Sequence, residues 1–156
     1  DGQLLEVCVG DAATRHAVRL PGDLVALLAR HGHTLPDVHL LAATAGPGGF
    51  TGLRVGLATV QGLAMALDRR VFVASTLDLL ARAAADARPE APWVGAWMHG
   101  MRGEIFTSLH RRGAPGQAAL ETLVSAWVGS AEATAAQWQA VAPSGAIAVA
   151  GDGWPE

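Results

Sequence analysis

Residues Gly46 to Gly56, GPGGFTGLRVG, concentrate more chemical information than any other part of the chain. An apolar run, Val38–Ala45, leads into them and a second, Leu53–Leu67, leads out, so the glycines join a buried strand to a helix. That geometry can present backbone N–H groups to a phosphate at a helix N-terminus. It also serves a helix against which another chain packs closely, because glycine carries no Cβ. The phosphate version lacks its usual parts. A P-loop needs GxxxxGK followed by Ser or Thr, and no lysine lies near Gly46–Gly56. The dinucleotide fingerprint GxGxxG fails as well, because Thr51 stands three residues after Gly48.

Other reactive residue types are sparse. The histidines are His16, His31, His33, His39, His99 and His110, with no HxxxH or HExxH pattern. Only His31-Gly-His33 is close-spaced, and it sits at an expected helix end, where histidine is ordinary; no metal site is expected. Ser75 reads as a helix cap and no GxSxG occurs, so no acyl-transfer nucleophile is expected. Cys8 lies in a strand-like segment and reads as a small core residue. Arg69-Arg70, Arg102 and Arg111-Arg112 are few, and read as solvated surface rather than a nucleic-acid footprint. Among the tryptophans, Trp93, Trp97 and Trp127 are expected as core or interface anchors.

Composition narrows the class. The 156 residues are 51% apolar and 16% charged, which excludes disorder and supports a sizeable core. A net charge of −3 argues against broad binding to nucleic acid. One cysteine cannot form an internal disulfide, so a reducing cytoplasmic setting is expected. No apolar run approaches about 18 residues without polar interruption, so no membrane span is expected. Asp1 is not Met, and the chain stops soon after the strand-like Ala146–Ala150, so both ends read as cut.

The elements that must hold the glycine joint follow from pattern and punctuation. Gln3–Val9 is β-rich behind the turn dipeptide Asp1-Gly2. Asp23 caps a short helix Leu24–His31, stopped by Gly32. After the joint and its helix come a strand Val71–Ala74 and a helix opened by Ser75-Thr-Leu-Asp78 and running to about Asp86. Trp93–His99 and Glu104–His110 form a hairpin around Gly100–Gly103, and Gly113–Gly116 is a second turn. Ser130–Val141 is a helix and Ala146–Ala150 the last strand. Alternating strands and helices make this an α/β fold with a mixed sheet.

The helix after the joint is apolar almost all round. At about 100° per residue, Gly52, Gly56, Ala58, Thr59, Gly62 and Ala66 fall on one side and Leu53, Leu57, Val60, Ala64 and Leu67 on the other. Arg54 and Gln61 form a narrow polar strip. Each interior glycine costs roughly 0.8–1 kcal/mol relative to alanine, so the small side calls for a reason. A central helix inside its own domain and a helix facing a partner subunit both supply one, and the pattern alone does not choose.

The run GPGGFTGLRVGLATVQGLAMAL resembles the signature of the bacterial TsaB (YeaZ) family, GPGSFTGLRIGxxxxxGLA, with Gly49 where the family usually has Ser. His16-Ala17, Leu20-Pro21 and Leu24–Leu28 are similar to its HSxxLLPxxxxLL helix, with Pro21-Gly22 in place of a smoother centre. Val71–Leu77 resembles VxxVSTL, and Trp97–Phe106 resembles the hairpin DARRGEVY, with His99 for Asp and Met101 for Arg. Ala150–Gly153 matches a GDG near a strand end. The likeness covers nearly the whole chain.

The resemblance implies an actin-like ATPase (ASKHA, ribonuclease H-like) fold, here truncated at both ends. It implies an N-terminal lobe over 1–91, lacking its first strand with a DTS-like loop, and a partial C-terminal lobe over 92–156. It implies a non-catalytic accessory subunit in forming N6-threonylcarbamoyladenosine at position 37 of tRNA, in the cytoplasm, with tRNA contacted only indirectly. The expected partners are a TsaD-like catalytic subunit, a TsaE-like ATPase in the full complex, and a second copy when alone. No cofactor is expected in this chain; ATP and metal would belong to the partner subunits. The implied interface comprises Gly48, Gly49, Phe50, Thr51, Gly52, Arg54, Val55, Gly56, Thr59, Gly62 and Ala66. The alternatives are a nucleotide-binding or hydrolysing domain of the same fold, or a self-contained homodimer; the peptidase label used in the wider family has no nucleophile here to support it.

Overall fold

Residues 2–9, 16–113 and 119–153 are described in the computed structural model, and they form two compact units that divide between Ala74 and Ser75. In the first unit, α1 (His16–Arg30) precedes a single 3-10 turn, Leu35–Asp37. β1 (Leu40–Thr44), α2 (Phe50–Leu67) and β2 (Arg70–Ala74) then form a βαβ unit. β1 and β2 pair in parallel, Leu40 opposite Arg70 and Thr44 opposite Ala74. α2 packs on both strands and on α1. Asp68 ends α2 in the left-handed region at φ 50°. Arg69 then donates to the carbonyls of Val38 (2.7 Å) and Pro36 (3.2 Å), tying the helix exit to the segment before β1.

Three expectations for this unit need correction. α1 starts well before Asp23: Pro21 in its second turn forfeits only one backbone bond, and Leu20, Leu24, Leu27 and Leu28 carry one half-covered side through it. Asp23 is therefore no cap; it pairs with Arg19 one turn earlier at 2.7 Å. Gln3–Val9 is not a strand, because no described segment supplies a ladder partner, and Leu4, Val7 and Val9 stand exposed. Instead Glu6 accepts from Arg30 Nη2 at 2.6 Å and lies 2.7 Å from His31 Nε2, fastening the segment to the end of α1. Finally, α2 is long and apolar enough to cross a membrane by length and composition, since Arg54 and Gln61 interrupt it too little. One such helix is also what packing on a sheet produces, and α2 does pack on a sheet.

The second unit holds α3 (Thr76–Ala87), β3 (Trp93–His99), β4 (Ile105–Arg112), β5 (Leu120–Gly129), α4 (Ala131–Val141) and β6 (Ile147–Ala150). The sheet order is β5-β4-β3-β6, with β3 parallel to β6 and the other pairs antiparallel. One face meets α3 through Ala81, Ala84, Ala85, Val94 and Ala148. The other meets α4 through Trp97, Leu109, Val124, Trp138 and Ala142. Small residues on α3 let it lie close to the sheet; large ones fill the α4 side. Ser75 and Ser130 cap the two helices by accepting from the N–H groups of Asp78 and Ala133. At the other end of α3, Arg112 donates to the carbonyls of Ala85 (2.7 Å), Arg88 (2.9 Å) and Ala91 (3.1 Å). These contacts put α3 with the second compact unit, which begins at Ser75. Of the expected turn Gly113–Gly116, residues 114–116 lie outside the described residues, as do Asp1 of the first turn and Trp154.

Candidate functional site

The joint and α2 take the shape the sequence calls for. The Gly46–Pro47 peptide is cis, and Gly46 has φ +114°, a conformation for which L side chains are poorly suited. A Cβ on Gly46 would lie 3.2 Å from Leu53 Cδ1, and one on Gly48 3.6 Å from the same side chain. Gly46 thus lets the turn fold back over the first turn of α2, whereas at Gly48 a Cβ would meet Leu53 at ordinary contact distance. Gly49 takes the N-cap position without a side chain to cap it.

The later glycines answer to no neighbour among the described residues. A Cβ on Gly49, Gly52, Gly56 or Gly62 would meet no atom within 4 Å. Along α2, Leu53, Leu57, Val60, Ala64 and Leu67, the side opposite the small residues, are half-buried. Of the eleven expected interface residues, Gly48, Gly49, Phe50, Thr51, Gly52, Arg54, Gly62 and Ala66 are exposed, whereas Val55, Gly56 and Thr59 are half-buried at its margin. The uncovered face is rotated from the one drawn on the helical wheel. Its middle is Arg54, Ala58, Gln61 and Met65, the last 85% exposed. Met65 was missed, and Ala58 of the small side and Gln61 of the polar strip were left out of the expected interface, because the wheel separates small from large residues but does not say which side α1 takes. Phe50 is 72% exposed, and the Arg54 guanidinium lies 5.1 Å from its ring centroid, so charge and ring sit together at the head of the stripe.

Elsewhere the chemistry is thin. Ser75 is occupied as a cap. Cys8 is exposed, not the core residue expected. His31 and His33 line a small hollow with Leu5, Glu6, Leu27 and Leu28, where Arg30 and His31 hold the Glu6 carboxyl below the usual range by hydrogen bonding. No group of three metal-ligating side chains converges among the described residues. His99 and Met101 sit on the β3–β4 hairpin, with Met101 80% exposed, and the His99 N–H donates to Asp152 of the GDG loop at 3.0 Å. Trp97 is core, Trp93 donates to the Ser144 carbonyl at 2.8 Å, and Trp127 is 42% exposed; the second core tryptophan is Trp138. Sequence reasoning missed a buried Ser108–His110 pair, which a serine and histidine two apart on a strand would have signalled.

Comparison with known proteins fits this arrangement. Residues 10–133 match the family model described as "TsaD: tRNA N6-adenosine threonylcarbamoyltransferase". TsaB, the tRNA threonylcarbamoyladenosine biosynthesis protein of Escherichia coli, is 32% identical over 97 residues, 62% of this chain and 42% of its own. A tRNA N6-adenosine threonylcarbamoyltransferase from Novosphingobium aromaticivorans is 43% identical over 67 residues, 43% of this chain and 19% of its own. Among solved structures, YeaZ from Pseudomonas aeruginosa superposes with a TM-score of 0.62 at 34% identity, covering 72% of this chain and 51% of that one. The chain therefore spans about half the length of the YeaZ structure and less than half of these two relatives. With the sheets and helices above, these likenesses give an actin-like ASKHA α/β fold. The chain belongs to the family described by the TsaD model, tRNA N6-adenosine threonylcarbamoyltransferase, and within it to the TsaB/YeaZ group.

Proposed function

We propose that this chain is a non-catalytic accessory subunit in the formation of N6-threonylcarbamoyladenosine in tRNA. It pairs through α2 with a TsaD-like catalytic subunit, and with a second copy of itself when that partner is absent. A TsaE-like ATPase completes the assembly; ATP and metal belong to those partners, tRNA is reached through them, and the setting is cytoplasmic.

One observation carries this reading: Gly52, Gly56 and Gly62 give up helix stability, and among the described residues no atom beyond the helix's own backbone lies within 4 Å of the space they leave. Alanine at each would fit the monomer and raise helix propensity by roughly 0.8–1 kcal/mol. A helix that forgoes this along one uncovered side is shaped for close approach by another helix. The names of the relatives supply the reaction.

The test separates folding from pairing. Gly52→Ala, Gly56→Ala and Gly62→Ala are each expected to leave the isolated chain as stable or more so, while Gly62→Trp abolishes co-purification with the TsaD-like partner. Unchanged capture by Gly62→Trp would remove α2 from the interface. Tight ATP binding by calorimetry, lost on changing Gly46–Gly49, would favour the nucleotide-binding alternative instead. Failure of the partner to displace a homodimer would favour a self-contained dimer.

A further inference from the structure

α2 carries a single charged side chain, Arg54, and the next charge in the chain is its C-cap, Asp68. The two stand fourteen residues apart, which is about four turns, so they lie on the same side of the helix about 21 Å from one another. Between them on that side are Ala58, Gln61 and Met65, and all five residues are exposed. Among the described residues neither charge is in an ion pair; Arg54 touches the Phe50 ring.

This stripe complements itself. Gln61 is its midpoint. Turning a second copy antiparallel about an axis through Gln61 brings Arg54 of each copy opposite Asp68 of the other. Gln61 then meets Gln61, and a carboxamide has both a donor and an acceptor side to offer its twin. Met65 falls beside Ala58, a long flexible side chain over a small one. A parallel pair would instead set Arg54 against Arg54 and Asp68 against Asp68, which like-charge repulsion disfavours. Each opposite-charge pair lies about 10 Å from the axis, a distance over which helices crossing at about 20° stay close.

We propose that two copies of this chain pair two-fold and antiparallel along α2, registered at Gln61 and fastened by two Arg54–Asp68 bridges. This rests on the reading of α2 as a pairing face and adds its orientation and register. The contact is isologous, so it closes at two copies. Its bridges are solvent-exposed, so they select register and partner more than they add affinity, and salt weakens them.

Sedimentation velocity of the whole chain over a concentration series tests this. Arg54→Glu and Asp68→Lys should each raise the Kd of self-association roughly tenfold or more, because both bridges become like-charge contacts. An equimolar mixture of the two variants should pair as wild type does, since every bridge again joins opposite charges. Should Asp68→Lys not fold, Gln61→Cys in a Cys8→Ser background decides: mild oxidation should link it into a dimer across the axis. A chain monomeric at every concentration, a Kd indifferent to Arg54→Glu, variants that do not recover on mixing, or no cross-link at position 61 would each overturn the proposal. Capture of the TsaD-like partner by Gly62→Trp tests the underlying reading separately, so the register can fail while the pairing face stands.

Discussion

Trp138 of α4 lies directly on Gly95 of β3: a Cβ on Gly95 would fall 2.9 Å from Cζ3 of the indole and closer still to Cη2. The same indole meets Trp97 edge-on, with ring centroids 5.2 Å apart at 85°. Glycine in a central strand is here the recess that admits a large ring, which accounts for its presence despite poor strand propensity. Gly95→Ala should therefore destabilise the second unit by about 1–3 kcal/mol, because the ring it would strike is packed in the buried cluster with Trp97, Leu109 and Val124. A urea midpoint unchanged from wild type would mean α4 can slide.

Arg112 ties the end of α3 to the sheet through three carbonyls. Removing it takes this donor from the Ala85 and Ala91 carbonyls, while that of Arg88 keeps the Ala91 N–H at 3.1 Å, and hydrogen bonds to a charged donor are worth about 1.5–3 kcal/mol net. Arg112→Met should lower thermal stability by a few degrees, and Arg112→Lys should recover only part, because an ammonium cannot reproduce the planar fork. Equal melting of the Met and Lys variants would show that packing of the stem, rather than the guanidinium, matters.

The attachment of residues 2–9 to α1 should be acid-labile. Hydrogen bonds from Arg30 and His31 hold the Glu6 carboxyl below its ordinary 4.5, so the folded form binds its proton less readily. The attachment is complete above that value and is lost as pH falls through the depressed one. Because the groups face solvent, salt should weaken it too. A spin label on Cys8, the chain's one cysteine, should sharpen toward free motion in acid, and Glu6→Gln should be mobile at every pH. A label equally restrained in Glu6→Gln would locate the attachment elsewhere.

Much of the fold was legible because its punctuation is strong. Gly46–Gly49 marks the start of α2, Ser75 and Ser130 mark α3 and α4, and the short apolar run Trp93–His99 ends at the glycine-flanked turn Gly100–Gly103 of a hairpin. β5 was not legible. Its two bulges break the period of two that identifies a strand, leaving Leu123-Val124-Ser125-Ala126-Trp127 without alternation. Gln3–Val9 failed in the opposite way: its composition suits a strand, but a strand exists only with a neighbour to pair with. On α2 the sequence shows an all-round apolar helix with a small side, whereas the uncovered face depends on where α1 packs, a long-range matter that periodicity cannot carry.

The place of β6 beside β3 has a consequence for synthesis. β3, β4 and β5 follow one another in the chain and can pair as soon as Gly129 has left the ribosome. β6 comes only after α4, so until Ile147–Ala150 emerges, the β3 edge that it occupies offers bare N–H and C=O groups. During that interval a nascent chain presents a central strand as an edge, open to strands of its neighbours on the same message. A ribosome paused between Gly129 and Ile147 should therefore produce aggregates that one paused after Ala150 does not.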